Sequence, residues 1–395
     1  MLHSYRFANA FSFLDETEVS FQVNRHVQDS GLIAQNASGA RLSKVMAVVG
    51  ANASGKTNLL KPLAFLNWFV GGSFQVKPDA KIPIDSHFFA DSSTSTFQLI
   101  GDMAGDIWRY ELELIPERVL REALYKKTSR SFSFVFVREW NPKTKNYDIT
   151  QQGFGFSARE AGKVRQNASL ISTAAQYGVP LAVQFAGLSF RSNVEFSGRN
   201  SLDGLVIVNA MEVFKRTGRL RLRMVDLLKD WDLGLADVVF RKIATTEPSS
   251  GTKAEVDLPF AVHRNGERKV EQLLMQESSG TQSAFVLLSQ ILPVLMSGGV
   301  AVIDELEANL HPHMLHPLLG LFLDPEINPY NAQVIFTCHA SEVLNLLTKA
   351  QVMLVEKDAG LFSHAWRIDT MRGVRADDNL YAKYMAGAYG AVPGV

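Results

Sequence analysis

Gly50-Ala51-Asn52-Ala53-Ser54-Gly55-Lys56-Thr57 has the spacing G-x-x-x-x-G-K-T, between the apolar run KVMAVV and a helical stretch. Glycines at both ends let backbone N–H groups close around phosphate oxygens, and the helix behind them adds the positive end of its dipole. Lys56 would reach the β- and γ-phosphates of ATP, and the Thr57 hydroxyl would bind Mg²⁺. Gly50, Asn52, Ala53, Ser54, Gly55, Lys56, Thr57 and Asn58 are therefore the candidate nucleotide-binding residues. A chance glycine loop would not need a buried strand before it and a helix after it.

Two later segments supply carboxylates and an imidazole. In VAVIDELEANLHP (300–312) four apolar residues end in Asp304-Glu305, at the carboxyl end of a buried strand where open α/β sheets bind ligands. Asp304 would hold Mg²⁺ through its waters, and Glu305 would act as general base on the attacking water. QVIFTCHA (333–340) places His339 at the end of the next apolar strand. A lone histidine there is more often structural, but the order after Asp304-Glu305 brings its imidazole toward the γ-phosphate. There it can donate or accept a hydrogen bond and sense that phosphate.

ESSGTQSAF (277–285) carries two readings. Ser279 and Gln282 have the S-x-x-Q spacing of a helix capping box. The same stretch reads as a phosphate clamp presented to ATP held by a second copy of the chain. Both readings place amides and hydroxyls at a helix N-terminus, so the second extends the first.

These motifs need a sheet to hold them. A chain of 395 residues, 46% hydrophobic and 20% charged, suits a folded protein with two domains or one core and a large insertion. Strands are expected at 17–23, 44–50, 97–101, 107–114, 119–127 and 133–140. A helix follows the glycine loop to about residue 70, with Pro62 inside it at the cost of a hydrogen bond. From residue 151 the pattern turns helical, then gives strands around a polar hairpin at about 246–253. After residue 280, VAVID, QVIFT and QVMLVEK are separated by helical lengths, as in a parallel α/β sheet.

Forty basic residues balance forty acidic ones, so no global field draws the chain to nucleic acid. The local exception is Arg216, Arg219, Arg221 and Arg223, which reads equally as a solvated helix face. A single cysteine, Cys338, excludes an intramolecular disulfide and a cysteine-cluster zinc site and fits a reducing cytosol. The N-terminus MLHSYRFANAFSF lacks the pattern of a secretory signal. The apolar run 284–303 contains Gln290, Pro293 and Gly298-Gly299 and divides into helix, turn and strand. A soluble cytoplasmic protein with no membrane partner is the expectation.

Together GANASGKTNLL, ESSGTQSAF, VAVIDELEANLHP, QVIFTCH and the ending YMAGAYGAVP resemble the AAA15-type (AAA_21-like) ATPases of the ABC/SMC-head class. The opening YRFANAFSFLDETEVSF and the segment 165–178 extend the resemblance over nearly the whole chain. It implies an α/β fold: an ABC/SMC-like P-loop NTPase head with a mixed sheet, an antiparallel β-subdomain and an inserted, mainly helical lobe. The head would comprise 1–150 and 266–395, with 151–265 as a lid or partner-docking lobe.

The resemblance further implies a homodimer or higher homo-oligomer closed around two ATP molecules. Ser278, Gly280 and Thr281 match the family's Ser-x-Gly signature, with Ser279 where glycine is commoner. Asn309-Leu310-His311 match the D-loop, and Gln98 is the candidate for the metal-binding Q-loop glutamine. Relatives of this kind form the ATPase half of two-component anti-phage systems (Septu-like, PARIS-like), whose other half is a nuclease or toxin. An ATP-hydrolysing sensor controlling a separate effector is the leading reading. The alternative is a RecF/Rad50-like DNA-repair head that binds DNA directly. A transporter subunit and a small-molecule kinase fit less of the pattern.

Overall fold

Val45–Val49 is buried at every position, and its side chains alternate between two cores. Val45, Ala47 and Val49 enter one hydrophobic cluster, while Met46 and Val48 enter another. A strand with both faces covered reads as a continuous apolar run. The computed structural model describes residues 1–27, 30–246 and 253–392.

Among the described residues, that run is β5 of a six-stranded sheet ordered β11 (Phe190–Ser192), β17 (Val300–Ile303), β18 (Gln333–Thr337), β5, β19 (Val352–Lys357), β20 (Ser363–Arg367). All neighbours are parallel except β20, which runs antiparallel to β19. A second sheet is antiparallel, ordered β10 (Asn146–Gln151), β9 (Phe132–Asn141), β8 (Arg118–Lys127), β7 (Asp106–Ile115), β6 (Ser95–Met103), β1 (Leu2–Ala8), β2 (Thr17–Ser20). Small pairs are formed by β3 (Ile33–Gln35) with β4 (Arg41–Ser43) and by β12 (Val194–Glu195) with β13 (Gly198–Arg199). β14 (Asp237–Thr246), β15 (Lys253–Asn265) and β16 (Arg268–Leu273) make a three-stranded sheet.

The helices are α1 (Lys56–Gly72), α2 (Ala158–Ala161), α3 (Leu170–Gln176), α4 (Pro180–Ala186), α5 (Gly204–Lys215), α6 (Gly218–Asp230), α7 (Ser279–Ser297), α8 (Leu315–Leu323) and α9 (Leu380–Met385). α1 fills the space between the two large sheets, where Phe65 packs on Phe97 of β6 with ring centroids 5.1 Å apart. Pro62 lies buried inside α1, which continues through it. The other face of the parallel sheet is covered by α5, α6, α7 and α8.

Parts of the stretch 151–265 pack into both cores. Phe154, Phe156, Leu170, Ile171 and Ala182 bury in the core beside α1. β11 extends the parallel sheet, and α5 and α6 pack on α7. A buried ion pair helps to hold this stretch. Glu122 and Arg138, both fully buried, stand 3.6 Å apart. Glu122 accepts from Ser169 Oγ and the Leu170 N–H, and Arg138 donates to the carbonyls of Val164, Arg165 and Ala168.

Two expectations change, and a third falls partly outside the described residues. Residues 338–351 form short 3₁₀ turns at Ser341–Asn345 and Lys349–Gln351 rather than a full helix. The strand expected at 17–23 ends at Ser20. The hairpin at 246–253 joins β14 to β15, but its tip, 247–252, lies outside the described residues.

The run 284–303 divides as expected into α7, a turn and β17. Gly298 and Gly299 have φ of 78° and 111°. A Cβ on Gly299 would lie 2.0 Å from the Ser189 carbonyl oxygen, which accepts from the Val300 N–H. Only glycine fits that turn. α7 is the one helix among the described residues long and apolar enough to cross a membrane, and more than half of it is buried in the core.

Candidate functional site

At the carboxyl edge of the parallel sheet, β5 ends in the glycine loop and α1 begins. Gly55 precedes α1 with φ 112°, and Ala53 also takes a left-handed conformation, with φ 61°. The loop leaves no room for larger residues. A Cβ on Gly50 would sit 2.1 Å from the Val355 carbonyl oxygen, and one on Gly55 2.4 Å from Ser363 Oγ. Ser363 Oγ lies 2.7 Å from the Ser54 carbonyl oxygen and 2.8 Å from Ser12 Oγ, and Asn58 donates to Ser12 Oγ. The loop is thus braced from β20 and from the turn after β1.

Lys56 is 6% exposed, and its ammonium donates to the Gly50 and Ala51 carbonyls at 2.9 Å each. Burial pulls its pKa below the usual lysine value, while Asp304, Glu305 and Glu307 favour its charge. Ser54 Oγ is buried and has no hydrogen-bond partner. A buried ammonium satisfied only by carbonyls and an unpaired hydroxyl beside it both suit an incoming phosphate.

Asp304 follows β17 and is 3% exposed. Its carboxylate accepts from Thr57 Oγ1 at 2.9 Å and from Thr337 Oγ1 at 2.6 Å. Thr337 Oγ1 in turn accepts the Glu305 N–H at 2.7 Å. Thr337 ends β18, which lies between β17 and β5, so it ties the acidic turn to the glycine loop. Glu305 has φ 53°, an uncommon conformation for a non-glycine residue. Its Oε1 is 3.5 Å from His339 Nε2, and its Oε2 is paired with Arg199. Glu307 accepts the backbone N–H groups of His339 and Ala340, which fixes the turn carrying the imidazole.

Asn52, Ala53, Gly55, Lys56, Thr57, Asn58, Asp304, Glu305, His339 and Lys357 line one cleft of about 790 Å³. Three segments distant in sequence meet there. The described residues contain no cluster of three or more His, Cys, Asp or Glu suited to a metal. Thr57 and Asp304 offer two hard oxygens, a set that fits Mg²⁺ completed by phosphates and water.

Ser278–Thr281 do not line this cleft. Ser278 is the N-cap of α7, and its hydroxyl accepts the Thr281 N–H at 3.2 Å. The expected capping box is therefore not formed, and the cap falls one residue earlier, at Ser278. Ser279 is the first helical residue, and Gln282 donates backward to the Met275 and Glu277 carbonyls. Asn309 lies against the same helix start and donates to Ser283 Oγ at 3.1 Å. A Cβ on Gly280 would be 3.1 Å from the Asn309 carbonyl oxygen.

Gln98 is not brought to the cleft. It sits mid-strand in β6, between Arg6 and Glu111. Its neighbour Phe97 faces α1, so strand alternation turns Gln98 to the opposite face. Of the four arginines at 216–223, Arg221 is committed to Asp237 and the Val238 carbonyl, while Arg216 and Arg219 are exposed.

Asn193, Arg199, Thr337, Ser363 and Lys357 were not singled out by motif. Thr337 precedes Cys338-His339 and Lys357 ends an apolar run, both positions at the carboxyl edge of the sheet. No sequence signal marks Asn193, Arg199 or Ser363.

The sequence matches the family described as "AAA domain, putative AbiEii toxin, Type IV TA system" over residues 45–163 and 194–345. No curated protein matches it. Among solved structures the chain is similar to the SMC head domain from Thermotoga maritima, at 15% identity and a TM-score of 0.43. That similarity covers 93% of this chain and 98% of the other.

Proposed function

The chain belongs to the AAA_21 family of AAA domains, and from that premise we propose that it binds and hydrolyses ATP, dimerises around it and thereby controls a separate effector. The carrying observation is the single cleft that gathers Lys56, Thr57, Asp304, Glu305 and His339. The loop amides and Lys56 hold the phosphates of the substrate. Mg²⁺ held by Thr57 and Asp304 would neutralise charge on those phosphates. Glu305 takes the proton of the attacking water, and His339 sits beside Glu305 where it can read the terminal phosphate.

The dimer is supported by the position of the Ser278–Thr281 helix start. It is built like a phosphate clamp but lies outside its own cleft, next to Asn309. A second copy would supply the phosphate. We propose a nuclease or toxin as the effector, anti-phage defence as the setting and the cytoplasm as the location. The family's description names the AbiEii toxin and a type IV toxin–antitoxin system, which is consistent with such a partner.

Replacing Glu305 with Gln tests this reading. Hydrolysis should fall by about 10²-fold or more while an ATP-bound dimer accumulates on light scattering. Turnover at the wild-type rate would remove Glu305 from its role.

Direct DNA binding is the second reading. It is favoured by Arg216 and Arg219, two exposed cations where α5 gives way to α6. A DNA affinity that falls steeply with salt and is lost on replacing Arg216 and Arg219 would establish it.

A further inference from the structure

We propose that Arg199 is a brake on hydrolysis: it occupies Glu305 in the isolated chain and must leave before that carboxylate can take a proton from water. The inference rests on the reading of Glu305 as general base.

The route by which Arg199 arrives is specific. β11 runs parallel to β17, pairing Phe190 with Val300 and Ser192 with Val302. The chain therefore reaches the acidic turn alongside Asp304. Asn193 grips that residue from both sides: its Oδ1 accepts the Asp304 N–H at 2.7 Å, and its Nδ2 donates to the Asp304 carbonyl at 2.9 Å. The chain then folds back as the β12–β13 hairpin, with Val194 opposite Arg199. Val194 is buried, and the Phe196 ring packs 5.6 Å from Trp68 of α1. The hairpin is footed on the helix that starts at the glycine loop.

Arg199, at its return end, pairs with Glu305 Oε2, while His339 faces Oε1. An oxygen committed to a guanidinium is not free to accept a water proton. The side chains of Arg199 and Glu305 are 32% and 35% exposed, so solvent screens the pair and it can open.

A small cavity of about 70 Å³ adjoins the pair, with Asn193, Arg199, Asn200, Ser283, Glu305 and Leu310 among its walls. Ser283 and Leu310 belong to the α7 start and the Asn309 turn, the surface assigned above to a second copy. Docking there compresses the same cavity that backs Arg199, which couples assembly to release of Glu305.

The test is steady-state ATP hydrolysis by the full chain with Mg²⁺, comparing wild type, Arg199→Ala, Arg199→Gln, Arg199→Lys and Glu305→Gln. Arg199→Ala and Arg199→Gln should raise kcat by about fivefold at unchanged KM. Arg199→Lys, which keeps the cation, should stay low. A rise in turnover cannot come from a damaged fold. Should Arg199→Ala melt early, Arg199→Gln keeps the stem and a donor and reads the same quantity. If Glu305→Gln stops turnover but both neutral Arg199 variants leave kcat unchanged or lower it, the brake is overturned and Glu305 keeps its role. If Glu305→Gln turns over normally, the underlying reading of the base fails instead.

Discussion

Thr57 at the start of α1 donates a 2.9 Å hydrogen bond to the Asp304 carboxylate, 247 residues away in the chain. The bond joins the two groups proposed to hold Mg²⁺. Thr57→Ala should abolish the gain in ATP affinity on adding Mg²⁺ while leaving metal-free binding within about twofold. It also leaves one Asp304 oxygen without its donor, at a cost of about 1–2 kcal/mol. Calorimetric titration with and without Mg²⁺ measures the first effect, and unchanged Mg²⁺ dependence would remove Thr57 from the site.

The helix start at Ser278 should separate binding from assembly. Ser278→Arg places a long cation where a second copy would approach, so ATP binding should stay within about threefold while the ATP-dependent dimer disappears. Gly280→Asp is the less clean variant, because its Cβ meets the Asn309 carbonyl. A Ser278→Arg protein that still dimerises on ATP would leave this helix start as a cap alone.

Gly55→Ala should fail at the backbone. Its φ of 112° is strained for alanine, and the methyl group would press on Ser363 Oγ. We expect a melting temperature lower by several degrees, about 2–4 °C per kcal/mol, together with lost nucleotide binding. A variant with both intact would show that the loop relaxes freely.

His263 links the three-stranded sheet to the segment before Ser278. Its two ring nitrogens face acceptors, the Glu277 carboxylate at 2.8 Å and the Gly234 carbonyl at 3.0 Å. The hydrogen bond to Glu277, ahead of the opposing effect of burial, raises its pKa above 6.5. A raised folded pKa gives stability that is whole below the unfolded value and fades as pH rises through the folded one. Wild type should therefore exceed His263→Gln in melting temperature below pH 6.5, by on the order of 1 °C given the exposure, and the gap should close at higher pH. A gap that widens with pH would reverse the assignment.

The parts legible in the sequence are those set by neighbours along the chain. β5, β17, β18 and β19 appear as unbroken apolar runs because both faces of each are buried. The glycine loop was readable because its backbone needs glycine at fixed intervals, and Asp304 and His339 because strand ends deliver them to one edge. Gln98 misled because a glutamine in a strand gives no sign of which face it takes. Which core receives each helix of the 151–265 stretch was not legible, because helical texture does not encode it.

The sequence by itself determined the central strands of the parallel sheet, the glycine loop and the order of the acidic and imidazole groups, since local periodicity and backbone geometry encode them. Only the tertiary structure decided that Asn193 grips Asp304 and that Arg199 reaches Glu305. Those contacts span 111 and 106 residues and depend on β11 lying beside β17, a pairing of surfaces that no local spacing records.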